Sequence, residues 1–210
     1  MPVEQAGNGY ALWLEPAHLH FHHGDSARIK VLWGYAMKRE KLDGPVNCTA
    51  LVKEPGGREF QVPVAADRDG FSYEMAFAGG PEGIYTVQVE YQAGKNHHWA
   101  RVLVPFGHHI RGRGEALNRG LEIVPGDYGH FHPGDAVLLT VLFNGQPLAG
   151  ARLLATYHIY DGDGFPHELV ADEIGTLKFV FDARGHWMLQ AHAVQETDRH
   201  VATLVIPGVR

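Results

Sequence analysis

The chain of 210 residues has one cysteine, Cys48, so no internal disulfide and no thiolate-rich zinc or iron–sulfur site can form. It has two serines, Ser26 and Ser72, and no Gly-x-Ser-x-Gly sequence, which argues against a serine hydrolase. The four methionines are scattered, which disfavours a Cu(I) site. No apolar run approaches the roughly 20 residues of a membrane helix. Met1–Gln5 carry neither the basic nor the apolar region of a signal peptide, which leaves a cytosolic protein and one whose export segment is missing from this sequence both open. A formal net charge of -6 gives no reason to expect whole-protein attraction to nucleic acid. No window sustains a 3.6-residue period, and Glu115–Arg119 could form one helical turn at most. The motif His-Glu-x-x-His does not occur, and Asp161-Gly162-Asp163-Gly164 lacks the terminal Glu of a calcium loop, so it reads as a β-turn. No catalytic constellation stands out. Glu15, Glu122 and Asp172 read as caps or surface carboxylates.

What the chain has in excess is histidine, with 15 residues. Histidine titrates near pH 6.5 and is the commonest metal ligand. Adding fifteen charges to -6 would bring the formal charge to +9, so composition points to either a metal-handling or an acid-sensitive surface.

The chain also repeats itself. His20-Phe21-His22-His23-Gly24-Asp25 recurs 110 residues later as His130-Phe131-His132-Pro133-Gly134-Asp135, and Val31-Leu32 falls on Val141-Leu142. Further on, Gly83–Gln88 matches Gly185–Gln190 at a spacing of 102, shared by His98 with His200 and by Val104-Pro105 with Ile206-Pro207. Alternating segments such as Arg28–Trp33 and Tyr85–Tyr91 read as strands, separated by turn signals such as Gly79-Gly80-Pro81 and Asn144-Gly145. We therefore expect an all-β protein of two tandem immunoglobulin-like antiparallel β-sandwich modules, 10–106 and 120–210, with no sheet running through both. Residues 107–119, with glycines and three arginines, read as an exposed linker. Phe21 and Phe131 should plug the sandwich ends. Trp13, Trp33, Trp99 and Trp187 lie in apolar strands and read as core rather than as a sugar-stacking platform.

In a strand, residues i and i+2 share a face. His20 and His22, extended by His18, and again His130 and His132, therefore present imidazoles side by side, able to converge on one ion at about 2.0–2.1 Å. The opposing reading is a strand-opening motif with incidental exposed histidines. His98 and His200, in equivalent places, are candidate third ligands. His186 and His192, six apart, share a face if their strand is unbroken. The neighbours His97-His98 and His108-His109 chelate poorly unless they lie in a loop. An imidazole donor set without thiolates suits Ni(II), Co(II), Zn(II) or Cu(II).

The opening Gly9-Tyr10-Ala11-Leu12-Trp13-Leu14-Glu15-Pro16 resembles a family of bacterial periplasmic proteins, described largely as the extracytoplasmic component of cobalt/nickel-type uptake systems. The likeness continues through Gly120–Pro125, Gly134-Asp135, Gly145–Ala151, Asp172–Phe179 and Gly185-His186-Trp187. It implies a periplasmic, all-β protein that binds a divalent transition metal and serves a membrane transporter component. The histidine near that family's mature start falls on Tyr10 here, so the carry-over rests on His20, His22, His130 and His132. The function expected is a non-catalytic protein that buffers metal or delivers it to an uptake system. The alternatives are a metal-free adhesion or interaction module with incidental or pH-sensing histidines, and a carbohydrate-binding module.

Overall fold

A computed structural model describes residues 9–42, 48–108 and 110–210. The described chain is all β-strand and turn, without a helix. The first half runs β1 (Tyr10–Pro16), β2 (Ser26–Tyr35), β3 (Lys38–Glu40), β4 (Cys48–Lys53), β5 (Glu59–Val62), β6 (Ala65–Ala66), β7 (Tyr73–Ala78), β8 (Gly83–Ala93) and β9 (Asn96–Phe106). The second runs β10 (Leu121–Pro125), β11 (Ala136–Phe143), β12 (Gln146–Pro147), β13 (Arg152–Tyr157), β14 (His167–Val170), β15 (Thr176–Val180), β16 (Gly185–Gln195) and β17 (Asp198–Val209).

The halves repeat one plan. A small sheet, β1-β2-β7-β6 with β3 beside β2, faces the strands β9-β8-β4-β5. Its counterpart, β10-β11-β12 with β15 beside β11, faces β17-β16-β13-β14. Strands covered on one face alternate: β2 buries Ala27, Ile29 and Val31 and exposes Ser26 and Arg28, and β11 buries Val137 and Leu139 between exposed Ala136 and Leu138. Asn144 and Gly145, at φ 50° and 78°, make the two-residue turn that joins β11 to β12, where both positions need positive φ. All four tryptophans are buried, Trp13 and Trp187 completely, which removes a sugar-stacking platform.

One expectation fails. A single eight-stranded sheet, β14-β13-β16-β17-β9-β8-β4-β5, runs through both halves. Its centre is a parallel ladder in which Asn96 to Val102 of β9 pair with Arg199 to Val205 of β17. The two small sheets cover opposite faces of this ladder. Paired residues share a face, and Trp99, Ala202 and Leu204 join the second core while Ala100, Val102 and Val205 join the first. The central strands are accordingly buried on both sides, β9 without a break from His98 to Phe106 and β17 from His200 to Ile206. Half a turn about a line along the β9/β17 seam carries one half's strand order onto the other and exchanges the faces.

The seam carries polar bonds on both faces, of different kinds. On one face Arg101 of β9 donates to Glu122 of β10 at 3.0 Å and to Gln88 at 2.9 Å, both members of the ion pair being at most 2% exposed. Glu122 also accepts the backbone N–H groups of Leu117 (3.2 Å) and Arg119 (2.8 Å), so it is a cap, but a buried one rather than a surface carboxylate. On the other face the Thr203 hydroxyl donates to the Leu12 carbonyl at 2.7 Å.

The segment after β9 is a packed strap rather than an exposed linker. Leu117 is buried, Glu115 pairs with Lys53 at 3.1 Å and donates its N–H to Thr86 at 3.2 Å, and a Cβ on Gly114 would lie 2.7 Å from Leu103. Lys53, Thr86 and Leu103 pair in register, so the strap covers the face of the large sheet that the first small sheet leaves open. Residues 115–119 are irregular, not a helical turn.

Replacing Glu122 with alanine strands a buried guanidinium and should cost about 3–5 kcal/mol in urea unfolding. Arg101→Met with Glu122→Leu should recover part of that loss, though not the amide caps. A double variant less stable than the Glu122→Ala protein would mean that the ion pair stabilises in its own right.

Candidate functional site

The two histidine motifs lie at the far ends of β9 and β17. Phe21 bonds through its N–H to the Pro105 carbonyl (3.0 Å) and accepts from Gly107 (2.8 Å), and its ring, 2% exposed, stacks on Phe106 at 5.4 Å. Gly24, at φ 87°, turns the chain, and Asp25 closes the turn by accepting the His22 N–H at 2.7 Å. The second motif repeats the device: Gly134 has φ 98°, Asp135 accepts the His132 N–H at 2.8 Å, and Arg210 donates to the Phe131 carbonyl at 3.0 Å. Phe131 packs on Phe181 but is only half-buried, less than the expected plug. Gly-Asp is thus the turn and the aromatic the anchor, which turns the flanking imidazoles outward.

The first motif brings its imidazoles together. His20 and His22 stand 5.3 Å apart between ring centroids, and His22 stands 4.8 Å from His108, in the irregular segment after β9. All three are exposed, and none of their rings hydrogen-bonds or ion-pairs among the described residues. His18 is separate: the chain bends at 17–19, so its ring turns onto Phe21 at 5.7 Å instead of continuing the series. In the second motif His132 engages Asp135 at 3.3 Å, and no ring contact joins it to His130. Among the described residues no group of three or more His, Cys, Asp or Glu side chains stands ready to hold a metal ion. His109 lies outside the described residues.

The third-ligand expectation for His98 and His200 meets a geometric obstacle. Eight residues of extended chain put His98 about 26 Å from Phe106, at the opposite end of the sheet from the motifs. There the repeat uses histidine as core: His98 packs edge-on against Trp33 at 5.0 Å, and His200 against Phe143 at 4.9 Å. Both ring nitrogens of His98 are buried without a partner, and burial pulls its pKa down to about 3. Burial likewise lowers His200, and lowers His192 to about 4. His97 lies flat on His200 at 4.6 Å and meets Asp198 at 3.3 Å. His186 and His192 are about 20 Å apart along β16. His186 and His158 are excluded differently: each Nδ1 accepts a backbone N–H, from Gly208 (3.0 Å) and His186 (2.8 Å) respectively. A neutral ring so used carries its proton on Nε2 and has no lone pair left for a metal.

A cleft of about 220 Å³ opens beside the first motif, at the end of the seam. His20, His108, Tyr128, His130 and Arg210 supply its polar lining, and Leu19, Pro105, Ile110 and Pro207 supply apolar walls. The repeat brings His20 and His130 to this one cleft from opposite halves. His108, Tyr128 and Arg210 are the cleft residues that the sequence did not single out as ligands.

The family model for the domain of unknown function DUF4198 matches residues 8–195. The chain belongs to this family. That description names no metal and no transporter, so the cobalt/nickel likeness rests on the sequence segments quoted above. A comparison with curated proteins finds no match. Among solved structures, a DUF4785 family protein from Legionella pneumophila is similar at 12% identity and a TM-score of 0.35, over 85% of this chain and 51% of that one. The D0-D1 domain of intimin is similar at 10% identity and TM-score 0.30, over 94% and 98%. Escherichia coli alpha-2-macroglobulin is similar at 10% identity and TM-score 0.37, over 95% of this chain and 22% of that one. The chain thus spans about half of the Legionella protein's length. These are loose likenesses.

The buried histidines set a pH dependence. A group that is neutral when folded and protonates near pH 6.5 when unfolded stabilises fully above that pH and loses its contribution as pH falls. His98, held near 3, should by itself cost about 1.4 kcal/mol for each pH unit below about 6.5. Carboxylates stay ionised through most of this window, so urea unfolding between pH 7 and 5 isolates the effect. His98→Phe should flatten the slope, and an unchanged slope would count against the assignment.

Proposed function

We propose that the protein is a non-catalytic binder of a divalent transition metal, Ni(II), Co(II), Zn(II) or Cu(II), held reversibly by His20, His22 and His108. One observation carries the reading: three exposed imidazoles without a hydrogen-bond partner among the described residues, two from the first motif and one from the segment after β9, stand in two adjacent pairs that share His22. Two imidazoles on one ion, with metal–nitrogen bonds of about 2.0–2.1 Å, place their ring centroids about 4.5–5.2 Å apart. The pairs stand at 5.3 and 4.8 Å. Small rotations of exposed side chains would bring the third ring to an ion held by the other two. Cys48 is no competitor, since burial pushes its thiol up to about 11.

A surface chelate of two or three imidazoles exchanges its ion readily, which suits buffering or hand-over rather than storage. The reading extends to an extracytoplasmic protein that passes metal to a membrane uptake component, supported by the resemblance at Gly9–Pro16 and the later segments. Among the described residues no helix is long and apolar enough to cross a membrane. A second reading, a metal-free interaction module, is favoured by the outer face of the second small sheet, where Leu138 and Val180 are 58% and 45% exposed on paired strands.

Calorimetry on untagged protein at pH 7.5 should give saturable Ni(II) or Zn(II) binding in the micromolar range. His22→Ala, which touches both pairs, should weaken it at least tenfold, and His132→Ala should leave it nearly unchanged. Protons compete for imidazole, so affinity should fall on acidification. No binding, or binding indifferent to His22→Ala, would move the protein to the second reading.

Phe21→Ala should cost about 3–5 kcal/mol in thermal or urea unfolding. Phe131→Ala should cost clearly less, because its ring is half-buried. Metal-free His20→Ala should change stability by less than about 0.5 kcal/mol. A larger loss there would make the histidine structural.

A further inference from the structure

We infer that the cleft at the end of the seam binds a small oxyanion, a carboxylate or phosphate group carried by a molecule of a few heavy atoms. The inference shares His20 and His108 with the metal reading but rests on Tyr128 and Arg210 and needs no ion. Its first support is Tyr128. This residue is 6% exposed and lines the cleft, yet its hydroxyl makes no hydrogen bond among the described residues. A tyrosine buried to this extent nearly always gives its hydroxyl a partner. Here the backbone is held by bonds to Gly112 in both directions, and the polar tip is left for whatever occupies the cleft.

The second support is the sign of the lining. Arg210 brings a guanidinium without an ion pair, and His20, His108 and His130 bring rings without a hydrogen-bond partner among the described residues. Among the described residues no Asp or Glu side chain is part of the cleft lining, and the one beside it, Glu82, stands against Gly107 at its rim. Those in an adjoining groove beside Arg111 are engaged: Asp127 accepts the Tyr128 N–H at 2.8 Å, and Asp135 holds His132. A lining that combines a guanidinium with a phenol and imidazole N–H donors suits an anionic acceptor. The guanidinium fork matches carboxylate and phosphate alike.

The third support is position and size. The backbones of both motifs are pinned to the ends of β9 and β17, so His20, His130 and Arg210 stand on a fixed frame. The volume of about 220 Å³ lies below the usual range for drug-sized ligands, which limits the occupant to a small molecule. The apolar walls raise the strength of each charged hydrogen bond by excluding water.

The test uses full-length protein stripped with chelator and desalted, titrated calorimetrically with inorganic phosphate and separately with citrate at low ionic strength. Saturable binding with a Kd below about 1 mM is expected for at least one probe, and the probe that binds identifies phosphate or carboxylate as the group recognised. Tyr128→Phe and Arg210→Gln should each weaken binding at least fivefold with unchanged melting temperature. Arg199→Gln, which removes one positive charge at the opposite end of β17, should leave it unaltered. If a cleft variant fails to fold, amide shifts of Gly129 and Gly208 in a nuclear magnetic resonance titration of the unmodified protein decide the matter. No saturable binding of either probe overturns the inference. So does binding that survives both cleft substitutions, binding that Arg199→Gln weakens equally, or titration shifts located elsewhere.

Discussion

The parallel ladder between β9 and β17 constrains everything else in this molecule. A strand in the middle of an eight-stranded sheet has no free backbone edge, and here it has no free face either. Each seam strand is therefore apolar at nearly every position, and the few polar side chains on it must find partners inside the protein. Arg101 finds Glu122 and Gln88, Thr203 finds a carbonyl of β1, and His98 finds only aromatic rings. Because the small sheets sit on opposite faces, β1 and β10 both pack against the seam, and each half is held by the other's backbone as well as by its own core.

The same ladder decides where function can lie. Parallel strands end together, so the last residues of β9 and β17 emerge side by side and bring the two histidine motifs to one end. Antiparallel pairing would have put them at opposite ends of the sheet. The motifs are alike in backbone and unlike in use. Asp25 leaves the His22 ring free, whereas Asp135 also engages the His132 ring, and of the two motifs the first brings its own imidazoles together. The repeat carries two copies of one rigid turn whose flanking side chains are used differently.

Much of this was legible in the sequence. Alternation in β2 and β11, the Asn144-Gly145 turn, the tryptophans in the core and the repeat itself follow from local pattern. The seam was missed because a strand covered on one face alternates, while Trp99–Phe106 and Val201–Ile206 are almost continuously apolar. That continuity is the mark of two-sided burial, and it was available. The candidate site was less legible. Repeat equivalence identified His98 and His200 as a matched pair but says nothing about which end of a strand they occupy, and counting residues along β9 gives that. The strand rule makes His108 and its neighbour poor chelators on paper, and it does not bind His108, which lies beyond the end of β9. Tyr128 and Arg210 belong to no motif. By the repeat spacings they correspond to His18 and His108, so they mark positions where the halves have diverged in chemistry.

The seam also has the form of an isologous contact, one edge meeting its own copy across a two-fold axis, as in a homodimer. Joined in one chain, the two edges meet at a fixed high effective concentration, and assembly no longer depends on how much protein is present. Fusion also frees the halves from having to be identical. An interface that exact symmetry would oblige to carry the same side chains twice holds a buried ion pair on one face and a single hydroxyl bond on the other, and a cleft at the end of the seam can present different chemistry from each side.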